Sequence, residues 1–291
     1  LGAELRARPG AQLGPCRISK ELGRGTFGKV FSATNTKTDR REAVKVISKG
    51  SISTLKRASA LCSELKSQRE LDHEHIARQL GVIHGPRHIV IRMEDAGPRN
   101  LFGFMQAEGI LPIENARDFH CQVAGAVAYC HRQGIAHRDL KPENIGVSAD
   151  RSKVKVLDFG CATGVETKCE DIVGSFPFMA PEVYVCGPDA PYVPVGLDIW
   201  AQGVILLEML CGVGQLSRML GWDRSTQVAA ERQQELVAYF RDLDSVELDI
   251  EVALGTALGN ELLELFVGML QVLPEKRWDA DRVVSSAWSR L

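Results

Sequence analysis

What is scarce in these 291 residues narrows the reading first. Neither charge is in excess: 35 lysines and arginines stand against 37 aspartates and glutamates, for a net charge of −2. So balanced a chain has no electrostatic pull toward nucleic acid or an anionic bilayer, and neither partner is expected. Long apolar runs are also missing. The longest, residues 203–214, carries Glu208 within it and falls well short of the ~20 residues a membrane helix needs. Residues 1–15 contain arginine but no apolar core segment, so no secretory signal is expected. Leu1 is not an initiator methionine, which reads as a piece of a longer chain. Paired cysteines are absent as well. Cys16, Cys62, Cys121, Cys130, Cys161, Cys169, Cys186 and Cys211 are scattered, with no close pair at metal-ligand spacing. That pattern suits a reduced, intracellular protein, cytoplasmic or nuclear, better than a disulfide scaffold or zinc site.

What is present centres on one string, His137-Arg138-Asp139-Leu140-Lys141-Pro142-Glu143-Asn144. It carries the groups that phosphoryl transfer to a hydroxyl requires. Asp139 can accept or orient the hydroxyl proton, Lys141 can neutralise oxygens of the moving phosphoryl group, and Asn144 can hold a metal ion. A polar surface turn is the bland alternative, so the rest of the chain has to decide. Residues 22–30 read as strand, glycine-rich turn, strand, with Gly23, Gly25 and Gly28 free to bring backbone N–H groups to phosphates. The chain continues as strand and not helix, which argues against a Rossmann unit. Another strand, residues 43–47, sets Lys45 among apolar neighbours. A helix is expected over 53–71, with Glu64 as the carboxylate to pair with Lys45 and Glu70 as its rival. Two further strands follow at 80–83 and 88–93, then a polar break at 94–97 taken as a hinge.

Beyond the break the texture turns helical, at 101–106 and 113–133. A strand at 154–157 ends in Asp158-Phe159-Gly160, where the acid is well placed for Mg2+ bridging nucleotide phosphates. Asp198 opens an apolar helix running through Leu210, either as a buried anchor or as an ordinary N-cap. Of residues 211–260 only 227–240 read as helix, and the remainder as loop. A helix at 261–270 and a short final one close the chain.

In this order the motifs resemble the eukaryotic protein kinase family, serine/threonine branch, from about residue 18 to the C-terminus. The resemblance implies an α+β, bilobal fold. A tail or linker (1–14) would precede an N-lobe (15–94) with a small antiparallel β-sheet and one helix. A larger, mainly α-helical C-lobe (95–291) would follow. It implies ATP bound by Leu22, Gly23, Gly25, Gly28, Val30, Ala43, Lys45, Met93, Glu94 and Ala96, with Met93 guarding the back of the pocket. Mg2+ would be held by Asn144 and Asp158. Asp139, Lys141, Lys45 and Glu64 would carry the chemistry, Glu182 would pair with Arg277, and Asp198 would buttress the catalytic loop. Lys141 after Asp139-Leu140 points to serine/threonine substrates. Residues 174–179 resemble the calcium/calmodulin-dependent, AMP-activated and checkpoint-like kinases, whose corresponding hydroxyl, here Ser175, contacts the catalytic Asp and Lys. A protein substrate is implied, and the Ala180-Pro181-Glu182 segment disfavours a small-molecule kinase.

The departures from the family pattern matter equally. Asp171, preceded by Glu170, stands eleven residues before Glu182, where many relatives carry a phosphothreonine that pairs with the arginine matching Arg138. The two acids either replace that phosphate or are solvated loop acids. Thr163, Thr167 and Ser175 are candidate phosphosites. Gln68 and Gln79 occupy positions usually apolar in the stack that holds Phe159, with Leu65 and Leu80 as nearby alternatives. Hydrogen bonding between the two amides would offset their burial. Gly146 replaces an apolar floor under adenine, a loss on the order of 1 kcal/mol. Asn100 replaces an acid, so a preference for basic substrates is not expected. A pseudokinase acting as a nucleotide-binding scaffold is the alternative, with Gln68, Gln79 and Gly146 its only support.

Overall fold

The computed structural model describes residues 9–24, 28–222 and 229–291. A six-stranded antiparallel sheet comes first, built from β1 (Gln12–Leu13), β2 (Cys16–Arg24), β3 (Gly28–Asn35), β4 (Arg41–Ser48), β5 (Gln79–His84) and β6 (His88–Glu94), in the order β1-β2-β3-β4-β6-β5. Helix α1 (Leu55–Glu70) packs on it, started by Thr54, whose hydroxyl accepts the Arg57 N–H. The sheet begins inside the stretch taken from its composition as a tail. Gln12 and Leu13 pair with Arg17 and Cys16, and Leu13 is buried. A single apolar side chain with a partner strand is enough to tie down a segment that looks like linker.

Alternation along β4 divides the core. Val44 and Val46 join Cys16, Ile18, Phe31 and Val90 on one face, while Ala43 and Ile47 join Leu61 of α1, Ile91 and Met93 on the other. Because side chains alternate along a strand, Lys45 lies on the same face as Ala43 and Ile47, the face that α1 covers. The β3–β4 hairpin closes through Asp39 at φ +55°, a left-handed conformation that aspartate tolerates.

The remainder is mainly helical, with two small sheets holding the connecting loops. β7 (Arg99–Asn100) leads into α2 (Leu101–Glu108) and α3 (Ile113–Arg132), and β8 (Ile135–Ala136), β9 (Ile145–Val147), β10 (Val154–Val156) and β11 (Thr163–Gly164) follow. β10-β9-β7 form one antiparallel sheet and β11-β8 another. Residues 137–144 are thus slung between β8 and β9, and Asp158 lies just past the end of β10. Then come α4 (Val195–Cys211), α5 (Gln215–Met219), α6 (Ala229–Arg241), α7 (Leu243–Leu254), α8 (Asn260–Met269) and α9 (Ala280–Val284). This is the bilobal α+β arrangement, with a cleft between the sheet and the helical part. Among the described residues, no helix is long and apolar enough to cross a membrane.

Two local expectations are corrected. α4 opens at Val195 after Pro194, so Asp198 is in its first turn and is not its N-cap. Residues 211–260 are far more helical than expected. α5 was missed because it is short, and α7 because it leaves Leu248 and Val252 exposed, which blurs its apolar stripe. Its ends were nevertheless legible: Asp242 accepts the Ser245 N–H at the start, and Gly255 at φ +68° stops it.

Candidate active site

The loop between β8 and β9 is pinned from beneath by Asp198, whose side chain is 1% exposed. Its Oδ2 accepts the backbone N–H of His137 at 2.8 Å and faces His131 Nε2 at 2.8 Å, and its Oδ1 accepts the Arg138 N–H at 2.8 Å. Burial opposes ionisation there, but the hydrogen bonds from His131 and the His137 amide outweigh it and hold Asp198 below the usual carboxylate range. Arg138 lies at φ +66°, a left-handed conformation that a non-glycine residue adopts only when its surroundings impose it. The His137 ring donates from Nε2 to Leu157 O at 2.9 Å and accepts the Asp139 N–H at Nδ1 at 3.2 Å, which fixes the orientation of the ring.

So held, Asp139 meets Lys141 and Ser175. Lys141 Nζ donates to Asp139 Oδ2 at 2.9 Å and to Ser175 Oγ at 2.5 Å, and the Ser175 hydroxyl donates to Asp139 Oδ1 at 2.8 Å. Asn144 gives its amide hydrogens to Asp139 O (2.8 Å) and Oδ2 (3.3 Å), which leaves its Oδ1 as an acceptor.

Across the cleft, Lys45 Nζ lies between Glu64 Oε1 at 2.5 Å and Asp158 Oδ1 at 2.8 Å. The lysine therefore joins α1 to the strand end after β10, and Glu64, not Glu70, is its helix partner. Lys45 is 2% exposed. Burial alone would lower its pKa, but the carboxylates of Asp158 and Glu64 outweigh it, and the ammonium is held above its ordinary value. Asp158 is pushed up by burial but pulled down further by Lys45, and stays ionised. For Glu64 burial wins and raises it.

Asp158 and Asn144 thus offer one carboxylate and one amide oxygen on the lining of a single cleft of about 610 Å3. Hard oxygen donors in small number, completed by phosphate oxygens, are what Mg2+ takes up, so these residues fit that ion. Among the described residues there is no group of three or more His, Cys, Asp or Glu side chains able to hold a metal by itself.

The same cleft is lined by Leu22, Gly23, Val30, Ala43, Lys45, Met93, Glu94, Ala96, Asp139 and Lys141. Gly25 lies outside the described residues. Gly28 is not on the lining. A Cβ there would come within 2.2 Å of Val46 O, so the close approach of β3 to β4 already requires glycine. Gly146 has a similar cause, because a Cβ would lie 2.5 Å from the Cβ of Ala96. The Ala96 side chain occupies the space where a larger residue at 146 would stand. Leu157, just before Asp158, also lines the cleft, and sequence reasoning missed it. Its place at a strand end beside Asp158, a candidate metal ligand, was the available signal.

Gln68 and Gln79 do not hydrogen-bond each other as expected. Gln68 Nε2 turns to Ala77 O at 3.4 Å, and Oε1 of each glutamine is buried without a donor. A buried acceptor without a donor costs about 1–3 kcal/mol. Gln68→Leu is therefore expected to stabilise the fold by about 1 kcal/mol, read as a higher urea midpoint at unchanged slope. A lower midpoint would show that the Ala77 contact outweighs the orphaned oxygen.

In the segment after Asp158, Arg138 Nε donates to Cys161 O at 2.7 Å and its Nη1 to Asp171 Oδ1 at 3.0 Å. Asp171 makes this contact, whereas Glu170 is exposed. Tyr192 donates its hydroxyl to Asp171 O at 2.9 Å. Further on, Arg277 grips Glu182 with two bonds of 2.6 and 3.0 Å and lies 5.2 Å from the Trp200 ring. Asn100 spends its amide at the start of α2, accepting the Gly103 N–H and donating to Glu143 O.

Residues 16–289 match the family described as the protein kinase domain. Among curated proteins, the chain is 37% identical over 202 residues to an SNF1-related protein kinase catalytic subunit alpha of Arabidopsis thaliana, covering 67% of this chain and 39% of that one. It is 36% identical over 214 residues to a carbon catabolite-derepressing protein kinase of Candida tropicalis, covering 70% and 32% respectively. A probable serine/threonine-protein kinase of Dictyostelium discoideum is 30% identical over 295 residues, covering 98% of this chain and 25% of that one. The chain spans less than half the length of each of these relatives.

Proposed function

The chain belongs to the protein kinase family, in its serine/threonine branch, and from that premise we propose that it transfers the γ-phosphoryl group of ATP to a serine or threonine hydroxyl of a protein, with Mg2+. The observation that carries this reading is a hydroxyl already seated on the transfer groups. Ser175 Oγ donates to Asp139 and accepts from Lys141, the contacts an incoming substrate hydroxyl would use.

In this reading Asp139 orients the nucleophile and receives its proton. Lys141 balances charge on the moving phosphoryl oxygens, and Lys45, steadied by Glu64, binds the nucleotide's phosphates. Asp158 and Asn144 would hold Mg2+, and the ion would supply positive charge to offset that of the nucleotide's phosphates. Leu22, Val30, Ala43, Leu157 and Met93, all on the cleft lining with Glu94 and Ala96, would offer apolar contact to the base. The lobes meet, on this reading, at residues 94–97.

Radiolabelled ATP and a serine-containing protein substrate test the proposal directly. Mg2+-dependent label in phosphoserine is the expected result. Nucleotide binding without transfer would instead favour a scaffold.

The Arg138–Asp171 pair supports basal activity without phosphorylation of the segment, since a carboxylate stands in reach of the arginine. Asp171 is 44% exposed, so its pairing is worth at most about 1 kcal/mol after screening. Asp171→Asn should accordingly lower the rate of phosphatase-treated protein by roughly threefold to fivefold. An unchanged rate would mean that Asp171 is only a loop acid.

A further inference from the structure

Next to the hydroxyl seat lies a cluster that the transfer chemistry does not use. Phe176 follows Ser175 in the chain and is 39% exposed. The Trp222 ring packs against it with centroids 4.9 Å apart. The guanidinium of Arg232, on α6, lies 4.3 Å over the Phe176 ring and 5.7 Å from that of Trp222. Glu235, one turn further along α6, accepts the Trp222 indole N–H. Among the described residues no carboxylate pairs with Arg232, and its Nε is buried with no acceptor.

Aromatic stacking holds a guanidinium flat, so little side-chain entropy remains to be lost when a planar anion binds. The location is also specific. Consecutive Cα atoms are about 3.8 Å apart, so a peptide whose acceptor hydroxyl reaches Asp139 passes Phe176 within a few residues. At the rim of the cleft Asn100 carries no charge and has both ends of its amide engaged, so it offers nothing to a basic side chain.

We propose that Arg232, stacked on Phe176, binds an anionic side chain of the protein substrate within a few residues of the phosphoacceptor. This rests on the transfer reading above. The anion is a carboxylate or a phosphate monoester, since both match the guanidinium fork.

The test is a positional peptide set around one serine, with Glu, Ala, Lys or phosphoserine placed in turn at each of three positions on either side. Because preference is a ratio between two peptides on the same enzyme, partial loss of fold cancels. In the wild type, Glu or phosphoserine at one position should raise kcat/KM about fivefold to tenfold over Ala, chiefly through KM. The better of the two identifies the anion. Arg232→Lys should keep part of the preference, and Arg232→Glu should invert it in favour of Lys. A merely structural arginine would not produce that inversion, and equal ratios in wild type and Arg232→Glu would overturn the proposal. Anisotropy of labelled peptides separates this from failure of the transfer reading. If no peptide is phosphorylated, tighter binding of the anionic peptide to wild type than to Arg232→Glu still supports the site, and equal binding overturns it.

Discussion

Asp158→Ala is expected to lower Mg2+-dependent phosphoryl transfer by roughly 10³-fold while the chain stays folded. The carboxylate lies at the strand end past β10, with its backbone at φ +56° and its Oδ1 2.8 Å from Lys45. Asp158 and Asn144 both line the cleft, and Lys45 keeps the carboxylate ionised. A metal ion stabilises transition-state charge by several kcal/mol, and an alanine leaves only the Asn144 oxygen among the two candidate ligands. Folding should survive because the buried ammonium of Lys45 keeps Glu64 at 2.5 Å and is not left unpaired. The measurement is kcat across a Mg2+ titration, with a denaturation curve on the same preparation. A rate within tenfold of wild type at saturating Mg2+ would remove Asp158 from the metal site. A collapsed denaturation curve would instead show that its bond to Lys45 is chiefly structural.

The parts of this site that were legible in the sequence are those whose chemistry is local or whose spacing is rigid. Asp139, Lys141 and Asn144 fall within six residues, and their short loop leaves them little choice but to converge. The Lys45–Glu64 pair was legible because β4 alternation sends Lys45 toward α1, and helical spacing offers few carboxylates. The Glu182–Arg277 pair, 95 residues apart, was reached only through the family resemblance. Other features were hidden because they depend on packing that no local pattern encodes. Gly146 reads as a missing floor, yet it answers the close approach of Ala96. Gln68 and Gln79 suggested a mutual hydrogen bond, but the Gln68 amide turns to a backbone carbonyl instead. The stacking of Arg232 on Phe176 joins α6 to a loop more than fifty residues earlier, and α6 read from sequence is only an ordinary polar helix.

Asp198→Ala should destabilise the fold by about 3–5 kcal/mol and slow transfer by roughly 10²-fold in the molecules that remain folded. Its carboxylate, itself buried, is the common acceptor for the buried His137 N–H and for the part-buried Arg138 N–H and His131 ring, and each buried donor left orphaned costs about 1–3 kcal/mol. Asp198 is held below the ordinary carboxylate range, so this contribution is present at neutral pH and is lost only as pH falls through that lowered value. The kinetic loss has a separate origin. Arg138 keeps φ +66° because Asp198 holds its amide, and a left-handed non-glycine residue relaxes when its tie is cut. Relaxation would swing the Arg138 side chain off Cys161 O and Asp171, and shift Asp139, the next residue, relative to Lys141 and Ser175. Misplacement by about 1 Å is enough for a loss of that size. Asp198→Asn separates the two effects. It preserves volume and one acceptor oxygen but turns an NH2 group toward a backbone N–H, so stability should fall by less than in the alanine variant while kcat still drops. Urea denaturation and kcat per folded molecule measure them independently. If stability falls in both variants but kcat per folded molecule does not, Asp198 is a core residue only, and the geometry of residues 137–144 is imposed by β8 and β9.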